Sequence, residues 1–166
     1  HNDFLYKQAN SPRSYDIVLY GSGLETEKLE GKVDYKGFVS SDELIATAEG
    51  EYGLAWYGSS LEGGSGALGE YLQYNAPHKM SLYIRCGLPI IVWEKAGLAP
   101  FVKKNNVGIC ISSLTELEDI LPKISAGQYM EMKKNVLQIA DKLSHGYYCF
   151  KAIKQACADL GGEIKG

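Results

Sequence analysis

The sequence predicts an α/β fold built on a doubly wound parallel sheet, and three observations carry that prediction. Short apolar runs of five or six residues recur along the chain. Segments with helical periodicity separate these runs, the pattern of a parallel sheet covered on both faces. The length of 166 residues fits about one domain at roughly 150 residues each, and no internal repeat interrupts it.

Taken in order, Asp16–Tyr20 reads as a buried strand that ends abruptly in Gly21-Ser22-Gly23. Lys32–Phe38 is a second strand, with Asp34 and Lys36 marking a wet face. Ser40 and Glu43 have the spacing of a capping box, so a helix follows to about Ala48. Tyr52–Tyr57 is the third strand. Gly58–Gly69 then holds five glycines in twelve residues, and no regular element is expected there.

Pro77 suits a first helical turn, where its missing amide costs nothing, and that helix runs to about Cys86 before Gly87 stops it. Leu88–Val92 is the most apolar strand, Ala96–Lys104 a helix and Val107–Ile111 a further strand. Ser113 and Glu116 repeat the capping-box spacing. After Lys123 the chain is helical. Tyr129, Met132, Val136, Ile139 and Leu143 line one helix face, and Phe150, Ile153, Cys157 and Leu160 line a second after a break near Gly146. Residues 16–20, 52–57, 88–92 and 107–111 are expected as neighbours in one sheet.

Composition narrows the function classes. Apolar residues make up 45% and charged residues 22%, which excludes disorder and a collagen-like repeat. The longest apolar run, Leu88–Trp93, falls far short of the roughly 18 residues of a membrane span. No signal peptide is visible at the N-terminus. A net charge of −3 with no basic stripe argues against nucleic acid as a partner. Cys86, Cys110, Cys149 and Cys157 are scattered without a CxxC pair; three lie among apolar residues, so reduced, buried thiols and a cytoplasmic protein are expected. No HExxH, Gly-x-Ser-x-Gly or P-loop lysine occurs, which disfavours metalloproteases, elbow hydrolases and P-loop NTPases.

In a doubly wound sheet, ligands bind beyond the carboxyl ends of the strands. Gly21, Ser22 and Gly23 stand there, and their backbone amides suit a phosphate or sugar; a tight strand-to-helix turn explains them as well. Asn75-Ala-Pro-His-Lys79 places His78 and Lys79 in the first turn of a helix, where free amides and the dipole favour an anion. A lysine at that end works against its own helix, which points to a pyrophosphate; a solvated side chain pointing away is the bland alternative. Tyr57, Tyr71 and Tyr74 flank the glycine-rich segment, where their rings suit a sugar or nucleobase. Glu62 fits a general base or a sugar contact as well as a solubilising loop charge, whereas Glu70 fits the loop charge better. Asp42 and Glu43 are explained by the helix start, and no cluster has metal-ligand spacing.

The order Asp16-Ile-Val-Leu-Tyr-Gly-Ser-Gly23, Gly37-Phe-Val-Ser-Ser-Asp-Glu-Leu44 and Arg85-Cys-Gly-Leu-Pro-Ile-Ile-Val92 resembles the C-terminal half of a GT-B glycosyltransferase. Asn75-Ala-Pro-His-Lys-Met-Ser-Leu-Tyr83 followed by Gly87-Leu-Pro is similar to bacterial galactofuranosyl- and glucosyltransferases of surface-glycan and adhesin glycosylation. The likeness covers roughly residues 14 to 155. It implies a Rossmann-like domain, residues 1–166, that holds a UDP-sugar donor for hexosyl transfer to a glycan or glycoprotein. It also implies a separate N-terminal acceptor domain, without which transfer is slight.

Carried onto this chain, the resemblance puts Lys79 on the donor diphosphate with Asn75 and His78 beside it. Gly21–Gly23 would lie near the phosphates or sugar, and Phe38 and Val39 against the base. No metal or other cofactor is implied. A glutamate that many such enzymes use on the donor ribose is replaced here by Leu82. A homo-oligomer and a peripheral membrane contact stay open. Outside this class, a nucleotide-sugar epimerase half-domain or a receiver-like interaction module would share the architecture.

Overall fold

The structure, a computed structural model, describes residues 3–29, 33–63, 66–75 and 77–161. Lys32, the expected start of the second strand, lies outside the described residues, as do Gly64, Ser65 and Ala76. The described chain begins with α1 (Asp3–Asn10), followed by β1 (Val18–Tyr20), β2 (Asp34–Gly37), α2 (Ser41–Thr47) and β3 (Gly53–Ala55). Next come α3 (Gly66–Tyr71), α4 (His78–Arg85), β4 (Ile90–Trp93), α5 (Ala99–Asn105) and β5 (Gly108–Ile111). The last helices are α6 (Leu117–Ile120), α7 (Ala126–Ser144) and α8 (Tyr147–Asp159).

All strand pairs are parallel, as the alternation of strands and helices requires. In the order β3-β4-β5, Gly53 stands opposite Ile90, and Ile90 opposite Gly108. β4 is central and buried at all four positions. Because side chains alternate across a strand, Ile90 and Val92 enter one core with Met80 and Ile84 of α4, Val102 of α5 and Val136 and Ile139 of α7. Ile91 and Trp93 enter a second core with Phe4 of α1, Leu114 and Leu117. Helices therefore cover both faces, which is why β4 reads as a continuous apolar run.

The expectation of one four-strand ladder is corrected. Among the described residues β1 pairs only with β2, in a separate two-stranded sheet. A cavity of about 920 Å³ is lined both by Ile17 and Leu19 and by Leu54 and Ile91, so space separates β1 from β3 where a ladder would run. β1 is only three residues long and its register shifts between Leu19 and Tyr20, which leaves few backbone groups to bridge that space.

Local signals fare unevenly. Ser40 caps α2 by accepting from the Glu43 amide at 3.3 Å. Ser113 does not head a capping box: it accepts from Thr115 at 3.2 Å at the start of a short 3-10 turn, while Glu116 turns back to Ser112. A full box stands instead at α7, where Ser125 and Gln128 satisfy each other's amides. The glycine-rich segment is more ordered than expected, because Gly66–Tyr71 is helical and Glu62 bridges to Ser113. Met132, Val136 and Ile139 of α7 are buried as the spacing predicts, but Phe150 and Ile153 of α8 and Leu160 just after it are exposed. All four cysteines are free thiols; Cys149 is exposed and the others are only half-buried, so the expectation of buried thiols is corrected. Among the described residues, no helix is long and apolar enough to cross a membrane.

Candidate functional site

β3 leads by way of α4 into its parallel neighbour β4, so α4 must run back across the sheet. Its N-terminus accordingly lies at the carboxyl end of the strands, where ligands of this architecture bind. Pro77 caps α4 with extended backbone and offers no side-chain acceptor. The Met80 amide donates to the Pro77 carbonyl at 3.0 Å, which leaves the His78 and Lys79 amides at the positive dipole end, a favourable setting for an anion.

His78 and Lys79 occupy that first turn, and both residues are exposed as a whole. The Lys79 ammonium nevertheless leans over the ring of Tyr57, 5.0 Å from its centroid. Loss of water there pushes the Lys79 pKa below the ordinary 10.5. Burial likewise pushes the Tyr57 hydroxyl up. Tyr83, one turn beyond Lys79, is pushed up to about 12 by burial, with Tyr57 and Cys86 as nearby contributors. Asn75 is half-buried and its amide donates to the Tyr71 carbonyl at 3.1 Å.

The turn after β1 is held from the neighbouring strand. The Gly21 amide donates to the Gly37 carbonyl at 2.8 Å, and the Gly21 carbonyl accepts from the Tyr35 hydroxyl at 2.8 Å. Gly21 and Gly23 adopt φ of 140° and 76°, values that side-chain-bearing residues rarely reach. Gly21, Ser22 and Lys79 all line the cavity between β1 and β3. The structure therefore brings the first-strand turn and the lysine to one space.

The other sequence-derived residues do not line that cavity, although Gly23, His78 and Tyr57 adjoin it through Ser22 and Lys79. Gly23, Phe38, Val39, Asn75, His78, Tyr57 and Glu62 are not on that wall. Phe38 is 75% exposed and Val39 half-buried, just beyond β2. The Glu62 carboxylate accepts from the Ser113 hydroxyl at 3.1 Å, tying its loop to the end of β5. Tyr71 and Tyr74 are exposed. Among the described residues, no group of three or more His, Cys, Asp or Glu is placed to hold a metal ion.

Residues 1–156 match the family model described as glucosyltransferase 3-like, C-terminal domain. The chain belongs to that family. A beta-1,6-galactofuranosyltransferase of Escherichia coli K12, WbbI, is 34% identical over 148 residues, covering 87% of this chain and 44% of that protein. Glucosyltransferase 3 of Streptococcus gordonii is 28% identical over 137 residues, 82% of this chain and 40% of its own length. The corresponding Streptococcus parasanguinis protein is 20% identical over 143 residues, 86% of this chain and 41% of its own. The chain thus spans less than half the length of the curated relatives it matches, and it falls among glycosyltransferases.

Further residues of this glucosyltransferase 3-like domain line the cavity, and of these Glu49 carried no spacing signal. Leu82 lines the cavity, in the place where the resemblance implies a ribose-binding glutamate in many such enzymes. Glu49, just beyond α2, also lines it, with its carboxylate 3.0 Å from the Lys36 ammonium. Tyr83 joins the same wall because i and i+4 positions share a helix face. That last relation to Lys79 was available from the sequence.

Proposed function

We propose that this chain is the nucleotide-sugar-binding half of a GT-B glycosyltransferase. It would hold a UDP-sugar from which a galactosyl, galactofuranosyl or glucosyl group passes to a glycan or glycoprotein acceptor. A preceding domain would supply most of the acceptor site, and the reaction would be cytoplasmic. The observation that carries the reading is the placement of Lys79: a cation in the first turn of α4, with no salt-bridge carboxylate among the described residues, sharing a cavity with Gly21 and Ser22. The diphosphate would sit against the α4 amides and the Lys79 ammonium. Asn75 and His78 would flank it, Phe38 and Val39 would lie toward the base, and Tyr57 and Glu62 toward the sugar or acceptor.

Calorimetric titration of the chain with UDP and with uridine tests this. A charge-assisted contact contributes roughly 1.5–3 kcal/mol, about ten- to a hundredfold in affinity. Lys79→Ala should weaken UDP by that factor and leave uridine nearly unchanged, because uridine has no phosphate to lose. Equal losses for both ligands, or no loss for either, would remove Lys79 from the phosphate site.

A further inference from the structure

Lys79 stands where its charge is least welcome to its own helix, since the dipole end of α4 repels an ammonium. Its long side chain has high rotamer freedom. Among the described residues, it has no salt-bridge partner that would explain a fixed orientation. The group that does meet it is the Tyr57 ring, at 5.0 Å from the ammonium, inside the roughly 6 Å within which a ring face attracts a cation.

Tyr57 is itself held. It packs on the core that contains Trp56 and Leu72. The Trp56 indole donates to the Ser60 carbonyl at 3.1 Å, and the Gly58 carbonyl accepts from the Phe4 amide at 3.4 Å. Gly58, at φ 105°, turns the chain away directly after Tyr57. The ring is thus packed on the core beside the Lys79 side chain.

We infer that Tyr57 is a positioning residue for the phosphate site: its ring holds the Lys79 ammonium at the cavity wall, ready for a diphosphate. This inference rests on the proposed role of Lys79 and assigns Tyr57 a part distinct from sugar contact. The hydroxyl is dispensable to it, and the aromatic face is not.

A double-mutant cycle read by UDP and uridine titration tests it. Tyr57→Leu should weaken UDP about three- to tenfold, the equivalent of a partly desolvated cation–ring contact, and leave uridine unchanged. Tyr57→Phe should stay within about twofold for UDP, since it keeps the ring. In a Lys79→Ala background, Tyr57→Leu should have no further effect. Tyr57→Met fills the space with a flexible apolar chain and gives the same reading if the leucine variant does not fold. Equal weakening by Tyr57→Leu with and without Lys79 overturns the positioning role while leaving the phosphate site standing. An unchanged UDP affinity in Lys79→Ala alone overturns the phosphate site, and the positioning role with it.

Discussion

Tyr83 lays its ring directly on Gly53, so closely that a Cβ at residue 53 would stand 2.3 Å from the ring's Cγ and 2.6 Å from the Tyr83 Cβ. Those atoms are near the helix backbone, so rotation of the ring tip cannot relieve the collision. The close approach seats α4 on β3, and Lys79 rides on the same helix one turn upstream. Gly53→Ala should therefore destabilise the protein by about 1–3 kcal/mol, the usual range for overpacking. It should also weaken UDP, because α4 must shift. Thermal melts and titration of the same variant check both effects.

The lowered pKa of Lys79 gives a pH dependence of definite sign. Between that lowered value and the ordinary 10.5, the unfolded chain binds the proton and the folded chain does not. The contribution of this group to stability therefore rises with pH across that window, and below it the charged lysine is a constant burden. Lys79→Met should melt at or above the parent protein near neutral pH, and the difference should shrink toward pH 10.5. UDP affinity should move the other way, falling as the ammonium loses its proton below 10.5. Melting curves and UDP titrations along one pH series check the two trends together.

Ser125 and Gln128 close the capping box of α7, whose residues Met132, Val136 and Ile139 are buried. Ser125→Ala should cost about 0.5–2 kcal/mol. Because α7 buries that face against α4, the loss should appear in the main cooperative transition. A chemical denaturation curve of the variant, compared for midpoint at constant slope, checks it.

The proposed phosphate site relies on amides and one ammonium, and among the described residues no group of three or more His, Cys, Asp or Glu is placed to hold a metal ion. UDP affinity should therefore be the same with a strong chelator and with added magnesium. Titrations under the two conditions check this, and a chelator-dependent loss would place a metal at the diphosphate.

Features carried by neighbours in sequence were legible. The α/β class, the parallel direction of the strands and the helix start after Pro77 follow from periodicity, caps and breakers within a few residues. So does the order of motifs that marks the glycosyltransferase family. Capping boxes show the limit of such signals: Ser113 and Ser125 both carry a plausible partner three residues on, yet only Ser125 forms the box, because Glu116 is drawn to Ser112 instead.

Only the tertiary structure decided what meets across long stretches of chain. The separation of β1 from β3, the seating of Tyr83 on Gly53 and the lean of Lys79 over Tyr57 join residues from different elements. Such contacts depend on how large side chains share space once the layers pack, a property of volume and shape. Residue spacing encodes which face a side chain takes, and packing decides which partner it finds there. That is why this sequence by itself determined a parallel α/β domain with a lysine at a helix start, whereas close packing of α4 on β3 decided that Tyr57 would meet its charge.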